Sequence, residues 1–270
     1  MPTPPEVRLV VLDWAGTTID FGCLAPAGAF VQAFAARGIE VTIAEARAPM
    51  GLHKKQHIAT MLTAPALAHR WHAATGKAWT QADVDELYRL VTPLQVQAAR
   101  LYSALVPGVL DTVDWLRERA IRVASTTGYF REAAEVVYSA AAQQGFRPDF
   151  TICADEVPGG RPAPWMIFRA MEALDVYPPH LVVKVGDTPV DIADGLNAGA
   201  WSVGVIDSSN EMGLSEAEFV ALSDTEREAR RGHVRERFLA AGAHATIDTL
   251  AKLPDLIEML NGRLTANDKP

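Results

Sequence analysis

The sequence predicts an α/β fold: a parallel sheet with helices on both faces, into which an all-helical cap is inserted. Three observations predict it. Short, almost wholly apolar runs alternate with longer stretches of helical spacing, which is how buried parallel strands and their crossover helices read. Two of those runs end on an aspartate, at the edge where open α/β sheets bind ligands. One segment, from about Pro26 to Leu105, breaks the alternation and carries helical patterns without a convincing strand.

The first strand is Val7–Leu12, and it runs directly into Asp13-Trp14-Ala15-Gly16-Thr17. A carboxylate delivered there can attack phosphorus and form an acyl phosphate, while the tight turn aims backbone N–H groups at an arriving anion. A strand that happens to end in Asp before a glycine turn is the plainer reading of the same residues. The inserted segment follows, with helices expected over Ala27–Arg37, Ile43–Arg47, His53–Leu62, Pro65–Thr75 and Gln81–Leu101. The expected division is a core of residues 1–22 and 103–270 and a cap of residues 23–102. Because the nucleophile strand precedes the insertion and the next core strand follows it, the cap can close over the carboxyl edge of the sheet.

Beyond the cap, a helix over Pro107–Arg119 leads to a strand at Arg122–Ser125, which continues into Thr126-Thr127-Gly128-Tyr129. Hydroxyls and a glycine at a strand end can place O–H and N–H donors on a phosphoryl oxygen, or simply cap the helix expected over Phe130–Gln144. A strand at Phe150–Cys153 precedes Gly160-Arg161-Pro162 and a helix over Ala163–Leu174. The planar fork of Arg161 suits two phosphoryl oxygens, although a solvated arginine is equally ordinary. The strand Leu181–Val185 then delivers Gly186-Asp187-Thr188-Pro189-Val190-Asp191. Such a carboxylate pair suits magnesium, with Asp187 binding directly or through water and Asp191 holding a metal water or orienting neighbouring ligands. The alternative is an N-cap and a first-turn acid for the helix Asp191–Ala198. Strands at Trp201–Val205 and Ala245–Ile247 and a helix over Leu250–Leu260 complete the core, and the mixed charges of Asp224–Arg231 read as a solvated helix face.

Composition narrows the function. With 270 residues and 49% hydrophobic residues the chain is long enough for one large core and an accessory unit, and no apolar run is long enough to cross a bilayer. The first strand begins within a few residues of Met1, with no charged-then-apolar-then-small segment before it, so a cytoplasmic enzyme is expected. Cys23 and Cys153 lack metal-type spacing and read as free thiols. A net charge of −8 argues against nucleic acid, so an anionic substrate must be met by local cations and backbone amides.

All four segments stand in the order and spacing of the haloacid dehalogenase superfamily, with Gly195, Asn197, Ala198 and Gly199 behind the acidic pair. A finer resemblance spans nearly the whole chain. Asp13 to Thr18, Gly22-Cys23, Pro49-Met50-Gly51-Leu52, Lys54, His57, Ser125 to Tyr129, Gly160-Arg161-Pro162 and Lys184 to Thr188 look like the phosphonatase family, the phosphonoacetaldehyde hydrolases. The resemblance implies a Rossmann-like core with a helical cap, a magnesium-dependent homodimer, and cleavage of phosphonoacetaldehyde to acetaldehyde and phosphate.

It also gives Ala15 a meaning. In the phosphatases of the superfamily that position holds an aspartate that protonates a leaving alkoxide; alanine has no proton to give, which fits a carbon leaving atom. A carbanion is too unstable to depart unaided, and an imine between a lysine and the neighbouring aldehyde would absorb its electron pair. The family pattern Met-Gly-Leu-x-Lys-x-x-His selects Lys54, with His57 one helical turn later. Periodicity alone points elsewhere: between His53 and Leu62 the apolar stripe passes nearer Lys55 than Lys54. A neutral amine is required, so burial or a nearby cation must lower the lysine pKa. The resemblance further implies that Asp13 is the nucleophile, that Asp13, the Ala15 carbonyl and Asp187 hold magnesium with Asp191 behind them, and that Thr126, Gly128 and Arg161 bind the phosphonyl group. His57, Met50 and Tyr129 would position Lys54 or relay protons, and Cys23 would line the site without acting as a nucleophile.

Other functions fit less of the sequence. A phosphate-ester phosphatase or phosphomutase would want the acid missing at Ala15. A haloacid dehalogenase has no use for a metal held by Asp187 and Asp191, and a non-catalytic binding relative has no need of nucleophile, metal acids and basic groups together.

Overall fold

The computed structural model describes residues 6–270. Its centre is a six-stranded sheet formed by β1 (Leu9–Leu12), β2 (Arg122–Thr127), β3 (Phe150–Cys153), β4 (Val182–Gly186), β5 (Trp201–Val205) and β6 (Ala245–Ile247). The spatial order is β3-β2-β1-β4-β5-β6 and every pairing is parallel. All four residues of β1 are fully buried, and they alternate as the pleat requires: Val10 and Leu12 join one hydrophobic cluster, Leu9 and Val11 the cluster on the opposite face. Each such side chain contributes about 1.5–3 kcal/mol by leaving water, which is why the sequence can spare an almost purely apolar run for the middle of the sheet.

Register brings the motifs together. Leu12 pairs with Ser125 on one side and Val185 on the other, and the Asp13 N–H donates to the Val185 carbonyl at 3.0 Å. The residues just past those partners, Thr126, Thr127, Gly186 and Asp187, therefore arrive at the same sheet edge as Asp13. Trp14 points the other way, fully buried against Tyr138 and Phe146 with ring centroids 4.8 and 5.3 Å away, and anchors the nucleophile turn from behind.

Between β1 and the helix α6 (Val109–Glu118) lie five helices: α1 (Leu24–Ala35), α2 (Ile43–Arg47), α3 (Lys54–Thr63), α4 (Pro65–Thr75) and α5 (Gln81–Leu101). They form the helical cap. The two connections to the core lie side by side, with the Asp20 N–H donating to the Ala104 carbonyl at 3.1 Å and the Val106 N–H to the Thr18 carbonyl at 2.9 Å. Asp20 also sets the start of α1, its carboxylate accepting from Leu24 N at 3.0 Å and Ala25 N at 2.9 Å.

The remaining helices are α7 (Arg131–Gln143), α8 (Trp165–Ala173), α9 (Pro189–Ala198), α10 (Glu216–Val220), α11 (Asp224–Ala240) and α12 (Leu253–Thr265). Several bounds differ from the sequence reading. β2 runs two residues further, through Thr127, because polar residues can still pair when the neighbouring strand is long enough to meet them. The last helix starts at Leu253 after a 3₁₀ turn and reaches Thr265. Helix α11 does carry exposed charges, but Arg231 is not simply solvated: it donates to buried Asp207 through Nε at 2.8 Å and Nη2 at 2.6 Å. Among the described residues no helix is long and apolar enough to cross a membrane.

Candidate active site

A small pocket lies where the cap meets the carboxyl ends of β1, β2 and β4. The core lines it with Asp13, Ala15, Thr127, Gly128, Tyr129, Arg161, Asp187 and Thr188, and the inserted segment with Cys23, Pro26, Met50, Gly51 and Lys54. Close approach at this seam depends on two glycines with positive φ. A Cβ on Gly16 (φ 84°) would fall 2.0 Å from Asp187 Oδ2, and one on Gly51 (φ 91°) would fall 2.6 Å from Thr188 Oγ1. The first lets the nucleophile turn lie against Asp187; the second lets the cap turn that leads to Lys54 lie on the start of α9.

The floor of the pocket is a buried charge network. Arg161 Nη2 contacts Asp13 Oδ1 at 2.5 Å, Arg161 Nη1 lies 2.8 Å from Asp191 Oδ1, and Lys184 Nζ lies 2.9 Å from the same oxygen. Asp194 stands behind, its Oδ2 3.7 Å from Arg161 Nε. Burial would raise the Asp191 carboxyl, but Arg161, Lys184 and a 2.6 Å hydrogen bond from Thr188 Oγ1 hold it below the ordinary carboxylate range. Asp187 has the opposite balance. Burial and the nearby Asp13 and Asp191 charges push it well up, against a hydrogen bond from the Asn210 N–H at 2.8 Å and the more distant Arg161 charge. Burial likewise raises Asp13, with Arg161 opposing.

These residues fit a hard divalent cation. Asp13, Asp187 and Asp191 each offer an oxygen within 4.8 Å of the others, all three are buried, and the donors are oxygen only. Arg161 pairs with Asp13 and, together with Lys184, with Asp191, whereas among the described residues buried Asp187 has no cation within ion-pair distance and is the carboxylate left to meet a metal. Asp191, already engaged by Thr188, Arg161 and Lys184, stands as support to the other two.

Lys54 opens α3 with only 3% of its surface exposed, and its Nζ lies 5.2 Å from the Tyr129 ring centroid and 5.8 Å from that of Phe30. Burial lowers its pKa to about 8. Lys55 is the solvated one: its Nζ pairs with Asp85 at 2.8 Å and the side chain is half-exposed. The periodicity reading thus chose the wrong lysine. The buried positions of α3 are Lys54, His57, Ile58, Met61 and Leu62, so the stripe is centred on two residues that a hydrophobicity count treats as outward-facing.

The other expected site residues are placed unevenly. Met50, Tyr129, Gly128, Arg161 and Cys23 all line the pocket. Cys23 is held as a thiol, its pKa pushed well up by burial and by Asp187 and Asp20. His57 does not line the pocket; it stacks on Phe30 with centroids 3.9 Å apart, and Nε2 lies 2.9 Å from the Ala46 carbonyl. Burial and the neighbouring Lys54 charge hold its pKa well down, so it stands neutral behind the lysine. Thr126, expected on the phosphonyl group, is also behind the wall: its Oγ1 accepts from Arg161 Nη2 at 3.0 Å and its carbonyl from the same nitrogen at 2.7 Å. The pocket face belongs to Thr127, because successive residues of β2 point to opposite sides and Thr126 is turned toward Arg161. The sequence assigns no role to Lys184, Asp194, Asn210 or Arg47, although Lys184 opens the motif that runs to Thr188 and Asp194 stands three residues after Asp191 on one helix face.

Comparison with known proteins identifies the family. Residues 7–199 match the family of haloacid dehalogenase-like hydrolases. The chain is 41% identical over 269 residues to a phosphonoacetaldehyde hydrolase of Syntrophobacter fumaroxidans, covering 100% of this chain and 97% of that one. It is 44% identical over 259 residues to a phosphonoacetaldehyde hydrolase of Parabacteroides distasonis, covering 96% and 98%. The crystal structure of a phosphonoacetaldehyde hydrolase-like protein from Oleispira antarctica superposes with a TM-score of 0.97 at 42% identity, covering 98% of this chain and 96% of that one. Similarity of this extent, over the whole core and the whole insertion, places the chain in the haloacid dehalogenase-like hydrolases and, within them, in the phosphonoacetaldehyde hydrolase family.

Proposed function

We propose that this protein hydrolyses the carbon–phosphorus bond of phosphonoacetaldehyde, giving acetaldehyde and phosphate. The observation that carries the reading is the placement of Lys54, a buried lysine of lowered pKa, in one pocket with Asp13 and Ala15. A nucleophile for phosphorus faces an amine for an aldehyde, and no acid stands where a leaving alkoxide would need one.

The chemistry follows from those groups. The neutral Lys54 amine adds to the aldehyde and loses water to give a protonated imine. Asp13 attacks phosphorus as the carbon–phosphorus bond breaks, and its electron pair passes into the iminium, leaving an enamine on Lys54 and an aspartyl phosphate on Asp13. Protonation of the enamine carbon regenerates the imine, and water releases acetaldehyde and the free lysine. A second water hydrolyses the acyl phosphate to phosphate and Asp13. Arg161, Thr127 and the backbone at Gly128 bind the phosphonyl oxygens, and Tyr129 and Met50 enclose Lys54. His57, neutral and stacked on Phe30, fixes the helix turn that carries the lysine. Asp13, the Ala15 carbonyl and Asp187 would hold Mg²⁺, which supplies charge shielding between the carboxylate nucleophile and the phosphonate dianion.

Incubation with phosphonoacetaldehyde and Mg²⁺ should release acetaldehyde and phosphate in equal amounts. Phosphate release from simple alkyl phosphates at a higher rate would sink the reading. The same proposal carries a homodimer in the cytoplasm, and light scattering on the purified protein tests the assembly.

A further inference from the structure

We infer that Arg47 of the cap is a positioning residue that acts through Asn210 to set the Asp187 carboxylate when the cap is closed. The inference deepens the reading above, since it rests on Asp187 as a metal carboxylate and Lys54 as the imine lysine.

Arg47 ends α2, and its Nη1 serves three acceptors: the Gly22 carbonyl at 2.7 Å, Asn210 Oδ1 at 3.1 Å and the Asn210 carbonyl at 3.2 Å. Asn210 Nδ2 returns toward the Arg47 carbonyl at 3.5 Å, and that carbonyl also accepts from the Met50 N–H at 2.9 Å, at the start of the turn that delivers Gly51 and Lys54. Asn210 is almost wholly buried, and its own N–H donates to Asp187 Oδ2 at 2.8 Å. One residue of the loop after β5 is thus held by the cap on one side and holds Asp187 on the other.

The rest of that loop is anchored to the same machinery. Ser208 Oγ donates to the Gly16 carbonyl in the nucleophile turn at 2.7 Å, and the Ser208 carbonyl accepts from the Gly22 N–H at 2.8 Å in the connection to α1. Asp13 and Lys54 are each no more than 5% exposed, so substrate reaches them only when cap and core part. Parting withdraws the Arg47 guanidinium from both Asn210 acceptors and leaves Asn210 without its charged partner. Closing restores it, so that the amide on Asp187 is fixed in the state in which Lys54 has been delivered. Hydrogen bonds from a charged donor are the stronger kind, and two sites that bias one element are coupled in both directions.

The test uses the full chain with Arg47→Ala, Arg47→Lys, Asn210→Ala and the double alanine variant. Three quantities are read: Mg²⁺ affinity by titration calorimetry, the rate of borohydride trapping of acetaldehyde on Lys54, and kcat against KM. Arg47→Ala should weaken Mg²⁺ binding about tenfold and lower kcat about tenfold, with trapping slowed and KM for the phosphonate changed less. Arg47→Lys should recover part of each loss. Asn210→Ala, which keeps the N–H to Asp187, should have a smaller effect, and the double variant should be no worse than Arg47→Ala alone. A merely structural role would lower the melting temperature while the folded variants kept wild-type Mg²⁺ affinity and kcat; that result, or additive losses in the double variant, overturns the inference. Wild type that neither binds Mg²⁺ nor traps on Lys54 would instead remove the chemistry on which it rests.

Discussion

Arg161 rests on Asp13: its Nη2 meets the Asp13 carboxylate and, from the same nitrogen, reaches the Thr126 carbonyl and hydroxyl. In the proposed reaction the guanidinium that neutralises Asp13 would also meet the incoming phosphonyl oxygen, so binding substrate would exchange one carboxylate partner for an anion. Arg161→Lys should keep a charge but lose the planar fork, raising KM for the phosphonate and Ki for inorganic phosphate roughly 30-fold, about 2 kcal/mol. Unchanged phosphate inhibition would remove Arg161 from the binding site.

Lys54 is the electron sink of the proposed reaction. Borohydride with acetaldehyde should inactivate the enzyme and leave an ethyl adduct that peptide mass spectrometry places on Lys54. The exposed amine of Lys55, paired with Asp85, is the internal control; an adduct there overturns the assignment. Lys54→Arg should abolish carbon–phosphorus cleavage while phosphate still binds.

The lowered Lys54 pKa sets a pH dependence. Burial takes it from 10.5 to about 8, so the reactive neutral amine grows as pH rises through about 8 and is the minor form below it. The initial trapping rate with acetaldehyde, followed from about pH 6 to 10, should climb with a midpoint near 8 and level off above it. A midpoint near that of an unperturbed lysine would contradict the role of burial.

In the proposed reaction the buried acids divide the work between nucleophile and metal. Asp13→Ala should lower turnover by roughly 10³-fold or more. Asp187→Ala should act mainly by weakening Mg²⁺, seen as a shifted dependence of rate on Mg²⁺ and weaker binding by calorimetry. Chelator-treated wild type that remained fully active would refute the metal assignment.

Ala15 lies on the pocket wall near both Asp13 and Lys54, and only 8% of it is exposed. Ala15→Asp should lower phosphonoacetaldehyde turnover about tenfold or more, because a buried carboxylate there pairs with the Lys54 ammonium, raises its pKa and repels the phosphonate. Assays with phosphonoacetaldehyde and an unactivated alkyl phosphate on both proteins check it. A variant faster than wild type on the phosphonate would contradict the carbon leaving group.

The sequence by itself determined the sheet and the acids at its edge. Val7–Leu12 and Leu181–Val185 are apolar runs whose burial on both faces leaves little alternative to a central parallel strand, and each one fixes by chain continuity where Asp13 and Asp187 emerge. The helical insertion was legible for the same reason, since its five helices carry their own periodicity. What only the tertiary structure decided is which polar groups those elements bring into contact. Lys54 rather than Lys55 is buried because Phe30 and Tyr129, from α1 and the end of β2, cover that face of α3. Thr127 rather than Thr126 faces the pocket because strand alternation turns Thr126 back toward Arg161, a partner that only the fold supplies. Arg47 meets Asn210 across 163 residues of chain, and no local pattern encodes such a pair. Local propensity and hydrophobic period act over one or two turns, whereas a buried ion or a hydrogen bond between loops is selected by desolvation cost, which exists only once the whole fold has closed around it.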